Sequence, residues 1–251
     1  MTVDLKVIVA THKSYRMPDD SVYLPLQVGA SGKSSFGFRR DDEGENISAR
    51  NQNWCELTGL YWAWKNLKAE AVGLVHYRRH FKGVRGIATG DELKAALEQA
   101  DVILPKKRNY FIETTYSQYA HAHHAEDLDV TRRILAERHP ECVEAFDAAM
   151  RSTKGHRFNM FVMRRPQFDA YCEWLFDVLF ELERRLDIAS YSPYDARVFG
   201  FVSERLLDVW LAVQGDVRVI ELPIVHLESQ HWPRKALSFL KRKLFGTRRT
   251  Q

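Results

Sequence analysis

Apolar residues fall into short runs separated by longer stretches with helical spacing. "LKVIVA" (Leu5–Ala10) is a run of β-favouring residues that ends at a polar "THK", and it reads as a strand feeding a loop. "AVGLVHY" from Ala71 reads as a second strand. "DVILP" (Asp101–Pro105) reads as a third, ended by Pro105. "FNMFVM" (Phe158–Met163) and "VRVIEL" (Val217–Leu222) complete the set. Between these runs the spacing becomes helical. Trp54, Leu57, Tyr61 and Trp64 recur at three- and four-residue steps, one apolar face of a helix for which Ser48 is a candidate cap. "GDELKAALEQA" reads as a short helix with Asp91 as its cap, and Val130–Arg138 and Cys142–Arg151 as helical pieces of a polar middle. Phe168, Tyr171, Leu175, Val178, Leu179, Leu182 and Leu186 form the stripe of a long helix. Ser192 and Pro193 suit a helix start, and the segment from there to Val213 is expected to break near Gly200. Gly29 to Glu45, rich in Gly, Ser and charge, reads as a mobile loop. Strands alternating with helices predict an α/β fold, one domain over 1–228 with a central mostly parallel or mixed sheet flanked by helices.

Composition narrows the class. Hydrophobic residues make up 45% of the 251, so a packed core is easily supplied. Three widely spaced cysteines, Cys55, Cys142 and Cys172, argue against a disulfide framework or a zinc knuckle and suit a reducing cytoplasm. No window looks like a signal peptide, and none reaches the roughly 18 apolar residues of a membrane span. The net charge of +4 hides an asymmetry. From residue 229 onward there are seven Lys or Arg and no acid, so the body before that tail is net acidic. That disfavours a nucleic-acid binder, which wants a basic face on the folded domain. Within the tail, Leu237, Leu240 and Leu244 fall at helical steps among cations. A basic amphipathic helix over 229–251 is expected to lie on an anionic membrane surface, with packing on its own domain as the bland alternative.

The strand ends carry the candidate chemistry. Ligands of open α/β sheets bind at the carboxyl ends of strands. His76, Tyr77, Arg78 and Arg79 sit at one such end, His12 and Lys13 at another, Lys106 and Arg108 at a third. Cations gathered at one edge suit an anion, and Arg suits phosphate through paired hydrogen bonds.

"THKSYRMP", "NISARNQNWCELTGLYWAWKN", "GLVHYRRHF", "DVILPKKRNYFIET" and "RVFGFVSERLLDVWL" occur in an order that resembles a bacterial family long catalogued as a domain of unknown function. Its members sit in capsule, exopolysaccharide and O-antigen loci and are regarded as glycosyltransferases, some of them galactofuranosyltransferases. The resemblance runs from about Leu5 to Pro223. It implies a GT-A-like fold and transfer of a hexose from a UDP-sugar to a polyprenyl-diphosphate-linked glycan, at the inner face of the plasma membrane. GT-A enzymes commonly hold a metal with Asp-x-Asp at the end of a central strand, and the matching stretch here, "VGLVHYRRHF", has no carboxylate. The expectation is therefore metal-independent: Arg78 and Arg79, with Lys13, Lys106 and His76, neutralise the UDP leaving group. Glu204 is the candidate base of an inverting reaction. Thr11, His12, Asn46, Ser48 and Asn51 are candidates for the donor, the last three equally suited to starting the helix. Asn159, Tyr119, His121, His123 and Trp62 are candidates for acceptor or sugar, and Glu56 is a second carboxylate. Arg197 and Arg205 either join the phosphate site or pair with Asp195 and Glu204.

Two alternatives stay open. His121 and His123, with Glu126 or Asp127, would be the ligands of a metal-dependent transferase. A non-catalytic glycan- or sugar-nucleotide-binding subunit would need no base at Glu204.

Overall fold

The structure is a computed structural model and describes residues 3–228. Strand β1 (Leu5–Thr11) comes first, then β2 (Tyr23–Gln27) and the two-residue β3 (Arg39–Arg40). A 3-10 turn at Ser48–Arg50 leads into helices α1 (Asn51–Trp54) and α2 (Leu57–Asn66). Strand β4 (Ala71–His76) folds back into β5 (Arg79–Gly83) and β6 (Gly86–Ile87). Helix α3 (Gly90–Gln99), β7 (Val102–Pro105) and β8 (Arg108–Asn109) follow. Helices α4 (Thr115–Ala122), α5 (Glu126–Arg138) and α6 (Val143–Arg151) precede β9 (Lys154–Gly155) and β10 (Phe161–Arg164). The long α7 (Arg165–Arg185), α8 (Val198–Ala212), β11 (Val219–Leu222) and β12 (Ile224–His226) complete the order.

The central sheet runs β11-β7-β10-β4-β1-β2-β3. Neighbours are parallel except at β10, which is antiparallel to both β4 and β7. An antiparallel strand flanked by β4 and β7 leaves those two parallel to each other. β1, β4 and β7 therefore end at one edge of the sheet, and β10 begins there. This is the mixed, mostly parallel α/β architecture expected from the sequence.

Alternation along the strands builds two layers. Ile8, Ala10, Leu74 and Phe161 face a large core against α1, α2 and α5 to α8. Val7, Val9, Val75 and Val162 face a smaller one against Leu93 and Leu97 of α3 and Phe81 of β5. Trp54 sits deep in the large core beside Phe176, Phe180 and Phe199, its Nε1–H donating to Glu183 Oε1 at 2.8 Å. Truncating such a residue to Ala costs about 3–5 kcal/mol.

Several expectations need correction. The helix expected from Ser48 breaks at Cys55, whose φ of 53° is left-handed. Ser48 is no cap: its hydroxyl donates to Asp41 Oδ1 at 2.5 Å. Thr89, not Asp91, caps α3, in a reciprocal box with Glu92. α8 runs unbroken through Gly200, after a 3-10 turn at Asp195–Arg197 whose N-cap is Tyr194, so neither Ser192 nor Pro193 takes the helix-start position expected of it; Ser192 Oγ accepts from Asp195 N–H at 3.1 Å. "FNMFVM" is a strand only from Phe161, because Phe158 and Asn159 have φ of 81° and 50°. The Gly29–Glu45 loop is pinned: buried Asp41 accepts from Gly29 N–H (2.8 Å), Ala30 N–H (2.9 Å), Ser48 Oγ and Thr58 Oγ1 (2.6 Å). The basic segment 229–251 lies outside the described residues.

Candidate active site

The edge where β1, β4 and β7 end is built around one buried ring. Tyr77 follows β4 and is 5% exposed. His12 meets it edge-on at 5.3 Å and Tyr15 at 4.9 Å. The Lys13 ammonium and the Arg78 guanidinium lie 5.1 and 5.0 Å from its centroid. The Tyr77 face thus holds the cations of two strand ends side by side. Their effect is felt at His12, which is pushed below the usual imidazole value by burial, then by Arg78, Lys13, Arg197 and Lys33. A single carboxylate, Glu228, bridges both cations, 3.2 Å from Arg78 and 3.7 Å from Lys13.

β4 does not end in an open loop. His76 pairs with Arg79 as the chain turns back into β5. The hairpin carries Arg79 inward, its guanidinium 3.8 Å from the Phe158 ring centroid. Burial lowers Arg79 from the usual arginine value; Glu204 opposes this, Arg78 adds to it, Glu56 opposes and Arg108 adds. Arginine stays protonated even so. Arg79 Nε is buried and has no hydrogen-bond partner within the protein.

Glu56 is positioned by strain. Cys55, left-handed, turns the chain between α1 and α2 and leaves Glu56 at the start of α2. Opposite, Asn159 is also left-handed; it donates to Glu56 Oε1 at 2.6 Å and accepts from Ser203 Oγ at 2.9 Å. Strained residues of this kind persist where surrounding contacts over-determine them, often at functional sites. Gly200 lets α8 approach the Cys55 corner, since a Cβ there would lie 3.1 Å from that of Cys55. Burial and the nearby Glu56 push the Cys55 thiol up to about 11, so it is no thiolate nucleophile at neutral pH.

Glu204 lies within α8, past its start rather than near it, and is half-buried. It pairs with Arg205 at 3.0 Å. Arg205 is held by Phe201 O and Gln118 and belongs to that pair. Arg197 instead turns to the site, its Nε donating to Cys55 Sγ at 3.2 Å.

Other candidates are placed elsewhere. Trp62, 2% exposed, donates to Glu43 O and is core; it has no face for a sugar. Tyr119 is fully buried, its hydroxyl on Asp127 Oδ2 at 2.7 Å. "YAHAHH" is mostly helix, not strand, and residues two apart on a helix do not face each other. His121 pairs with Glu113 at 2.6 Å and His123 with Asp195 at 3.1 Å, while Asp127 accepts from Tyr119 and Tyr191. Among the described residues no group of three or more His, Cys, Asp or Glu is arranged to hold a metal. Thr11 Oγ1 donates to Lys13 O and shapes the turn after β1. His76 Nε2 bonds Phe158 O at 2.5 Å and ties β4 to the approach to β10. Asn46 bonds Asp42 O and Gly44 O, and Asn51 bonds Cys55 O and Thr58; both knit the loop and helix start. Lys106 is exposed after β7. The sequence reading missed Lys33, Glu228 and the bond from Asn159 to Glu56. A surface hollow beside Glu70 and Arg165 lies at the opposite edge, away from all these groups.

A mostly parallel α/β sheet thus collects Lys13, Arg78, Arg79 and Arg197 beside Glu56 and Glu204 at the carboxyl edge of its strands. Residues 6–215 match the family described as Domain of unknown function (DUF4422), and the chain belongs to that family. It is similar to a solved structure described as the WbbM bifunctional glycosyltransferase in its apo form, with a TM-score of 0.83 and 29% identity. The match covers 90% of this chain and 46% of that one, so the chain spans about half the length of that relative. A comparison with curated proteins finds no match.

Proposed function

We propose that this chain is a glycosyltransferase of GT-A type that takes a hexose from a UDP-sugar and passes it, with inversion, to a lipid-linked surface glycan. The observation that carries this is the gathering of Lys13, Arg78 and Arg197 around His12 at one sheet edge, next to Arg79 with Glu56 and Glu204. The likeness to a glycosyltransferase over 90% of the chain supports the reaction class.

The groups divide by role. Breaking the bond between sugar and diphosphate leaves negative charge on the diphosphate. Fixed cations stabilise that charge in the transition state without reorganising. Lys13 and Arg78 take the outer position and Arg79 the buried one. Cations at this strand end do not fit a divalent metal, so they serve in its place. Glu204 accepts the proton of the attacking hydroxyl. Glu56, held by Asn159, keeps Arg79 in place. Galactofuranose is the proposed sugar, on the family resemblance alone.

Titration calorimetry with UDP and a panel of UDP-sugars, with and without EDTA, tests this. Binding that survives EDTA and weakens in Arg78→Ala by about ten- to a hundredfold is expected, a charge-assisted hydrogen bond contributing about 1.5–3 kcal/mol. Glu204→Gln should keep UDP binding and lose about 10²–10⁴-fold in transfer rate. Unchanged turnover in Glu204→Gln removes the base assignment, and absence of any nucleotide binding removes the reading.

A further inference from the structure

β8 and β9 form a short antiparallel ribbon, and the turn that leads from β8 into α4 gives it an apolar tip. Phe111 is 80% exposed and Ile112 65%. The tip is preformed. Phe111 N–H donates to Asn109 Oδ1 and Ile112 N–H to Tyr110 O, both at 2.8 Å, with Phe111 held left-handed at φ 61°. The root is fixed as well. Arg108 and Arg157 each lie 5.4 Å from the Tyr110 ring centroid. Buried Arg157 donates to Tyr110 Oη at 3.2 Å and to Thr115 Oγ1 at 2.9 Å. Gly155 leaves room for that guanidinium, which a Cβ would overlap.

The surroundings are basic. Lys106, Lys107, Arg108, Arg151 and Lys154 are all exposed. The stretches 106–112 and 151–155 contain no acid, and the adjoining Glu113 is buried and paired with His121. Two apolar side chains fall far short of the about 800 Å² per partner of a standard protein interface. They do suit a bilayer: apolar tips enter the boundary between headgroups and chains, and cations meet anionic headgroups. We propose that this ribbon docks the protein on an anionic membrane surface through Phe111 and Ile112. The proposal stands on the ribbon alone. If the transferase reading also holds, docking brings the sheet edge towards a lipid-linked acceptor, since β8 follows directly on the end of β7 at that edge.

The test is co-sedimentation of the full chain with vesicles of phosphatidylcholine alone or mixed with phosphatidylglycerol, without donor or acceptor. The full chain should bind the mixed vesicles and not the neutral ones. Phe111→Ser with Ile112→Ser should weaken binding by about tenfold or more, because the inserted apolar area is gone. Lys107→Gln with Lys154→Gln should weaken it and flatten its salt dependence. Thermal melts of the variants should match the parent, all four sites being exposed. The double serine variant binding mixed vesicles as tightly as the parent overturns the proposal, and so does a parent that binds neither vesicle. UDP titration of the same samples reads the transferase site separately.

Discussion

His12 shows how a single side chain reports on its neighbours. Its proton affinity is lowered by burial and by four surrounding cations. A histidine lowered in the folded state binds fewer protons than it does unfolded. It therefore leaves stability intact above about pH 6.5, the unfolded value, and removes some as pH falls below it. A diphosphate placed among the same cations reverses the balance and raises His12 again. UDP-sugar binding near pH 6 should then take up protons, measurable by calorimetry in buffers of differing ionisation enthalpy. A UDP-sugar serves better than UDP here, having no terminal phosphate that titrates in this range. Proton uptake should vanish in His12→Gln; uptake that persists would place the titrating group elsewhere. This signal was partly legible in the sequence. The cations follow apolar runs whose ends are easy to see, so His12, Lys13, Arg78 and Arg79 could be grouped before any fold was known. Glu56 and Asn159 could not, because their bond joins residues 103 apart in the chain.

The elements were legible in proportion to their burial. β1, β4, β7 and β11 lie within or beside a parallel sheet, and β1, β4 and β7 are buried on both faces, so they read as continuous apolar runs. β2 was missed because Pro25 breaks its pattern, and β3, β8 and β9 because they are two residues long and charged. α4 gave no signal because its polar, His-rich sequence buries only Thr115 and Tyr119 and so carries no apolar stripe. The break between α1 and α2 was hidden because its left-handed residue is Cys55, where glycine or asparagine would have given a signal. That break has a testable energy. Cys55→Val places a β-branched side chain at φ 53° and should cost about 1–3 kcal/mol in denaturant unfolding. Cys55→Gly, which accepts the conformation, should cost less. Equal losses in the two would show that packing, not backbone conformation, governs the corner.

Across the whole molecule, distant parts of the chain meet at one edge. β10 runs against its neighbours, so the segment entering it at Asn159 arrives where β1, β4 and β7 leave. β12 pairs with β5 beside them and carries the chain on to Glu228, whose carboxylate spans Lys13 and Arg78. Those are the two outer cations of the three proposed for the donor diphosphate. Glu228 is thus a resident competitor. Exposed pairs of this kind are each worth about 0–1 kcal/mol, so Glu228→Gln, which removes both, should tighten UDP binding by up to roughly thirtyfold. Weaker binding in that variant would mean the carboxylate organises the cations and does not compete for them. Competition has a mechanical corollary. A nucleotide that displaces Glu228 also cuts the ties that β12's exit makes to two other strand ends, so the hold on residues 227–228 becomes a gauge of whether donor is bound.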